Sequence, residues 1–123
     1  MAITRQGFAN RCRSSLSSND WAQGGGLCAG RRVKIDQIDP DGLIATVQDR
    51  SGRSCEVYFD WSSAVRDKSV YASCSCPRYN QGQLCEHMAA TILAVDQQSL
   101  DYRVPGRSLL EIVADDDVWE DDD

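Results

Sequence analysis

Histidine occurs once in this 123-residue chain, so any site that needs an imidazole has one place to be. No apolar run approaches the roughly 20 residues of a membrane-spanning helix, and such a span is excluded. The stretch MAITRQGFANRCRSSLSS lacks the continuous apolar core of a secretory signal. The cysteines are therefore expected in a reducing, cytoplasmic setting where disulfides are disfavoured. The same stretch has no acid before Asp20 and carries three arginines. That composition also suits an organellar transit peptide, but an ordinary first helix is the preferred reading. No Cys-x-x-Cys pair occurs, which argues against a thioredoxin-like redox site. No Gly-rich loop has phosphate-cradling spacing, and no internal repeat is detectable.

What remains is an ordinary globular composition, 41% apolar and 26% charged, with length for one domain whose modest core would gain from a staple. The net charge of −6 is concentrated: seven of the 19 acids fall in the final ten residues, ADDDVWEDDD. Residues 1–113 then hold 19 − 7 = 12 acids against 13 bases, a net of +1. Charge alone names no partner for so neutral a body.

Phe8, Cys12 and Leu16 stand at i, i+4 and i+8, which predicts a helix between residue 4 and about residue 22. The glycine triplet at 24–26 is expected to break it and open a turn, with Leu27, Cys28, Ala29 and Gly30 leading into a sheet. RRVKIDQID and LIATVQD, joined by Pro40, Asp41 and Gly42, read as a hairpin. SCEVYFDW follows the DRSG turn as a third strand, and SVYASC is a short fourth. Leu84, Met88, Ile92 and Val95 recur at helical spacing and predict a second helix. SLLEIV is long enough for one short helix or strand. The acidic run after it cannot bury enough apolar area to offset chain entropy and is expected to be mobile. The fold class expected is α+β: a small antiparallel sheet of three to four strands, an N-terminal helix and a C-terminal helix capped by the stretch before it that clusters cysteines with the sole histidine. The expected divisions are an N-terminal helical segment over 1–23, a domain built around that stretch over 24–100 and an extension over 101–123.

CSCPRYNQGQLCEH packs three of six cysteines and the sole histidine into fourteen positions, spaced Cys-x-Cys, eight residues, Cys-x-His. On a strand, i and i+2 point to one side, so Cys74 and Cys76 are pre-aligned. On a helix the same spacing points apart, so Cys85 and His87 converge only if Cys85 sits at or before the helix start. Amides and the helix dipole there favour thiolate, the metal-binding form. Pro77, Asn80 and Gly82 supply the turn between the pairs. Three thiolates and an imidazole make a closed tetrahedral site that suits structural zinc and leaves no position for a reacting water. With His87 so committed, no Ser/His/Asp or Cys/His dyad remains for catalysis. Cys12, Cys28 and Cys55, among apolar neighbours, are expected in the core. Trp21 and Trp61 are expected to pack, and Trp119 to be a docking or solvated tail residue.

The ligand spacing, the Met88, Ala89, Ala90 helix after it and the strands leading in resemble the SWIM zinc finger over roughly residues 24–97. That resemblance implies one zinc on Cys74, Cys76, Cys85 and His87. SWIM domains occur in bacterial helicase-related ATPases, Mutator-type transposases and ubiquitin-ligase-like signalling proteins, where they are thought to bind DNA or proteins. The chain departs from those proteins in having no ATPase motif, transposase carboxylate set or ligase domain. The expected function is a non-catalytic zinc-binding interaction module for a protein partner or nucleic acid, DNA ahead of RNA, serving as accessory to a helicase-like ATPase. The alternative is a DNA-binding SWIM finger regulated by its acidic tail. No membrane and no small-molecule substrate is expected. For nucleic acid, Arg31, Arg32, Lys34, Arg50, Arg53 and Arg78 are the main phosphate candidates, with Arg66 and Lys68 beside them and Tyr79 placed to stack.

Overall fold

The computed structural model describes residues 7–49, 51–80, 84–106 and 108–114, apart from the side chains of Arg78 and Asn80. Helix α1 (Phe8–Arg11), a 3-10 turn (Arg13–Ser15) and helix α2 (Ser18–Ala29) open the fold. Strands β1 (Val33–Asp39), β2 (Gly42–Gln48) and β3 (Ser54–Asp60) follow, then the single turn α3 (Ala64–Asp67) and β4 (Ser69–Cys74). A second single turn, α4 (Pro77–Asn80), precedes the long helix α5 (Glu86–Gln97), a 3-10 turn (Asp101–Arg103) and β5 (Glu111–Ala114).

The class is α+β, but the sheet has five strands in the order β1-β2-β3-β4-β5, not three to four. The additional strand comes from SLLEIV and pairs parallel with β4, Val70 opposite Ile112. A parallel neighbour needs a long crossover, here α5 and the loop after it, and no local turn signal announces one. The strand entry is secured from two sides: Leu110 N–H donates to the Arg11 carbonyl (2.6 Å), Glu111 N–H to the Lys68 carbonyl (2.9 Å) and Ile112 N–H to Ser15 Oγ (2.9 Å).

The first helix also differs from expectation. Phe8, Cys12 and Leu16 are buried as their spacing implies, yet the helix stops at Arg11 and Leu16 is extended. The glycine triplet, read as a breaker, lies inside α2, and so do Leu27 and Cys28. The reason is packing. A Cβ on Gly24 would stand 2.7 Å from both Ala89 Cβ and Ala90 N and 2.9 Å from the Glu86 carbonyl oxygen. Gly24 lets α2 lie directly on α5, and this contact outweighs the roughly 0.5–1 kcal/mol that a glycine costs a helix. Ser17 starts α2 by accepting the Asp20 N–H at 3.1 Å.

β3 alternates cleanly, Cys55, Val57 and Phe59 buried and Ser54, Glu56, Tyr58 and Asp60 exposed. Its inner face joins Leu43, Ala45 and Val47 of β2 and Val70 and Ala72 of β4 beneath Met88, Ala89, Ile92 and Val95 of α5. Each large apolar side chain buried here contributes about 1.5–3 kcal/mol. Phe8 meets Phe59 and the fully buried Trp61 edge-on, ring centroids 5.8 and 5.9 Å apart. Trp21 is half-buried, its Nε1 donating to the Arg13 carbonyl. Arg11 is buried too, and its guanidinium donates to the carbonyls of Ser108, Val104 and Pro105.

The antiparallel register leaves the sheet two distinct ends. At one, the β1–β2 hairpin is tied by Asp39 Oδ1, which accepts the N–H groups of Asp41 (2.9 Å) and Gly42 (3.0 Å). At the other, the β2–β3 turn is tied by Asp49 Oδ1, which accepts from Ser51 N (2.9 Å), Ser51 Oγ (2.6 Å) and Arg53 N (3.0 Å). No helix among the described residues is long and apolar enough to cross a membrane. Of the acidic run, Ala114 closes β5; residues 115–123, including Trp119 and the expected mobile tail, lie outside the described residues.

Candidate metal centre

β4 ends at Cys74, and the ladder continues one step further: Ser75 N–H donates to the Glu56 carbonyl and Ser75 Oγ accepts the Glu56 N–H. This extension holds residues 74–76 in strand form, so Ser75 points outward while Cys74 and Cys76 are buried. The chain turns through α4 and returns to Cys85, the N-cap of α5, with extended φ −138° and ψ 169°. Gly82, assigned to the intervening turn, lies outside the described residues. His87 follows in the first helical turn, buried, with Thr91 Oγ1 donating to its carbonyl.

The three sulfurs and one ring nitrogen lie within 4.8 Å of one another, and all four residues are buried. Cys74 Sγ is 3.8 Å from His87 Nδ1. A tetrahedron with zinc distances of about 2.1–2.3 Å has donor–donor edges of about 3.4–3.8 Å, so the donors are already nearly at coordinating separation. Hydrogen bonds with Cys74 and Cys85 hold Cys76 well below the ordinary thiol range, with the Tyr79 N–H adding a smaller push the same way; bonds with Cys76 and Cys85 push Cys74 up, against a smaller opposing pull from the Cys76 N–H; and His87 is raised to about 10 by Cys76 and Cys85. A divalent metal binds the thiolate and neutral imidazole forms and so displaces the protons these groups would otherwise hold. A soft set of three sulfurs and one nitrogen fits zinc and leaves no protein-free position in a tetrahedral shell.

A second group shares the same histidine. Asp49, Cys55 and His87 also bring one donor atom each within 4.8 Å of one another. Sequence reading placed Asp49 in a turn and Cys55 in the core, and Cys55 is indeed buried in the core cluster. Neither position carries a spacing signal, because the group forms only when the β2–β3 turn meets the start of α5. Cys12 and Cys28 are buried elsewhere: Cys12 Sγ donates to the Phe8 carbonyl, Cys28 Sγ to Gln97 Oε1.

The bases proposed for phosphate are only partly brought together. Gln48 N–H donates to the Arg32 carbonyl, Arg32 Nη1 donates to the Asp49 carbonyl, and Asp49 N–H donates to the Arg53 carbonyl. Arg32 and Arg53 therefore meet at the β2–β3 turn, at the end of the sheet that carries the metal centre, with Arg53 exposed; Arg31 is exposed too but borders Ala94, Gln97 and Gln98, at the other end of α5 from His87. Lys34 stands one step away on β1, its Nζ 3.7 Å from Asp36. Arg66 and Lys68 lie at and just after α3, at the far end of β4. Tyr79 is buried rather than free to stack. Arg50 lies outside the described residues, as does the side chain of Arg78.

A closed cluster of three thiols and one imidazole at the rim of an α+β fold defines a zinc-binding module. Residues 59–96 match the family model of the SWIM zinc finger, a stretch that contains all four ligands and neither Asp49 nor Cys55. No curated protein and no solved structure matches the chain. The SWIM match and the donor set together make zinc the cofactor of this site.

Proposed function

We propose that the chain is a non-catalytic, zinc-stapled module that binds DNA through the end of the sheet carrying the metal centre. The observation that supports this reading is the meeting of Arg32 and Arg53 at the β2–β3 turn, beside the metal cluster, with the exposed Arg31 next to Arg32 in the chain. Guanidinium groups on a rigid rim contact phosphates without needing to read bases. The zinc ties β4 to α5 and so fixes the rim. The choice of DNA over RNA rests on the resemblance to SWIM fingers, and the same resemblance makes an accessory role beside a helicase-like ATPase the natural setting. The tail, with seven acids in ten residues, competes for the same arginines, because a short tether holds it at about millimolar effective concentration.

The test is duplex binding measured over a salt series. Each phosphate neutralised contributes about −0.9 to the slope of log K against log salt, so replacing Arg31, Arg32 and Arg53 by Ala should flatten the slope by up to about 3 and weaken binding. Deleting 115–123 should tighten it at low salt. A flat salt response in the full chain, or a triple variant that binds equally well, overturns the reading.

One observation favours a protein partner instead. Tyr58 is 53% exposed on the outer sheet face and borders a recess of about 370 Å³ lined by Asp39, Asp41 and Asp60. Such a recess suits a cationic side chain on a basic protein, with the ring face adding cation–π attraction. Loss of a basic partner on Tyr58→Ala, with DNA binding absent, would establish this second reading in place of the first.

A further inference from the structure

We propose that Asp49 is the positioning residue for the metal ligand His87, accepting the proton on Nε2 and so keeping Nδ1 aimed at the thiolates. The inference rests on the zinc reading above and goes beyond the residues that the SWIM family match covers, 59–96.

A neutral imidazole has one N–H and one lone pair. Nδ1 is the nitrogen that faces Cys74 Sγ, at 3.8 Å. A metal taking the Nδ1 lone pair therefore forces the proton onto Nε2. His87 is only 6% exposed, and among the described residues its Nε2 is buried without a hydrogen-bond partner. An unpaired buried donor is costly, so a group must be close enough to take it.

Among the described cysteines, aspartates and glutamates outside the ligand set, the two that group with the ring within 4.8 Å are Asp49 and Cys55. A thiol sulfur is a weak acceptor, whereas a carboxylate is strong and acceptor-only. Asp49 is also held in place for the task. All three of its described side-chain hydrogen bonds, from Ser51 N, Ser51 Oγ and Arg53 N, fall on Oδ1. The other oxygen carries none of these and is the one to receive Nε2–H. A charge-assisted bond needs about 2.7–2.9 Å, so the carboxylate must close a gap of up to about 2 Å. Asp49 shares a recess of about 210 Å³ with Glu86 at the start of α5, the helix that carries His87. Carboxylate–histidine–metal arrangements of this kind fix the tautomer and ring orientation and raise ligand basicity.

The experiment uses the full zinc-loaded chain. Zinc affinity is measured by chelator competition for wild type, D49N, S51A and C55A, with the zinc count per chain, and the imidazole tautomer is read by long-range ¹H–¹⁵N NMR. D49N keeps an oxygen for the turn and removes the charge, so it should weaken zinc about tenfold to hundredfold; S51A, which removes one of the three bonds that hold the carboxylate, should weaken it less than D49N, while C55A stays within about twofold. Wild type should show one zinc, a protonated Nε2 and a metal-bound Nδ1. A wild-type spectrum with Nε2 bound to metal or deprotonated overturns the proposal whatever the variants do, and so does D49N binding like wild type. A loss in C55A without one in D49N would make the thiol the partner instead. Two zinc ions in wild type falling to one in D49N would make Asp49 a ligand of a second metal. A wild-type chain that takes no zinc overturns the zinc reading itself, an outcome separate from all of these.

Discussion

At the hairpin end of the sheet, Asp39 ties its turn through backbone amides, with Asp41 and Asp60 beside it. At the opposite end, Asp49 ties its turn in the same way, but Cys74, Cys76, Cys85 and His87 stand behind it and α2 presses α5 onto the sheet. The residue chemistry of the two turns is nearly identical, and their dependence is not. The hairpin turn itself is closed by contacts within a few residues of each other, to which Trp61 N–H on the Asp41 carbonyl and Arg103 on the Ile38 carbonyl are added from further along the chain. The metal end is assembled from 49, 55, 74–76 and 85–87, and it needs an ion to hold like groups together. Local closure survives perturbation elsewhere, whereas assembled closure fails as a unit.

That contrast breaks most visibly at the ligands. Cys85→Ser should lose zinc and cooperative unfolding together, because structural zinc in finger peptides supplies about 10–16 kcal/mol at pH 7. Chelator added to wild type should reproduce the effect; a chelated chain with an unchanged calorimetric transition would show the ion to be decorative. Next comes Gly24→Ala, where the added methyl meets the first turns of α5. Overpacking of this kind costs about 1–3 kcal/mol, the reverse of the gain usually expected from Gly→Ala in a helix. Zinc affinity should fall with stability, since the same turn carries His87, and paired denaturation and chelator titrations would check both.

The neighbouring Gly25→Ala sharpens the point. Its new methyl would find only Leu93 Cδ1, at 4.0 Å, so denaturant unfolding should show a gain of about 0.5–1 kcal/mol. The smallest effect belongs to the hairpin end. Asp39→Ala should lower the Tm by less than Gly24→Ala does and leave zinc affinity untouched. The amide of Asp41, then the side chain of Gln37, hold the Asp39 carboxyl below its ordinary value. A lowered carboxyl stabilises fully above the ordinary pKa of about 3.9 and loses that contribution as pH falls through the lowered value. The difference between wild type and Asp39→Ala should therefore vanish in acid, in melts recorded against pH.

The hairpin end and the ligand pairs were legible in the sequence because their signals are local. Alternation gave β3, the Pro40, Asp41, Gly42 turn gave the hairpin, and the i, i+2 spacing put Cys85 at a helix start, where it caps α5. Three features were not legible. The triplet at 24–26 looks like a breaker until Ala89 and Ala90 are known to lie against Gly24. β5 looks like a stray apolar run until β4 is known to offer a free parallel edge. Asp49 looks like any turn aspartate until the β2–β3 turn is known to face His87. In each case the deciding neighbour is distant in sequence, and periodicity carries no information about it.

β5 and the buried Arg11 bear on how the molecule is made. Arg11 waits for the carbonyls of Val104, Pro105 and Ser108, and Ser15 Oγ waits for the amide of Ile112. A ribosome adds about 5–20 residues per second, so the 114 − 87 = 27 residues between the last zinc ligand and the end of β5 take about 1–5 s to make. During that interval the metal-binding segment has been made ahead of the strand that completes its sheet, while the guanidinium of Arg11 still donates to water rather than to the carbonyls that bury it. Capture of the ion can therefore precede completion of the fold during synthesis, and the nascent chain meets the cell's zinc supply with one flank of β4 still open to other strands.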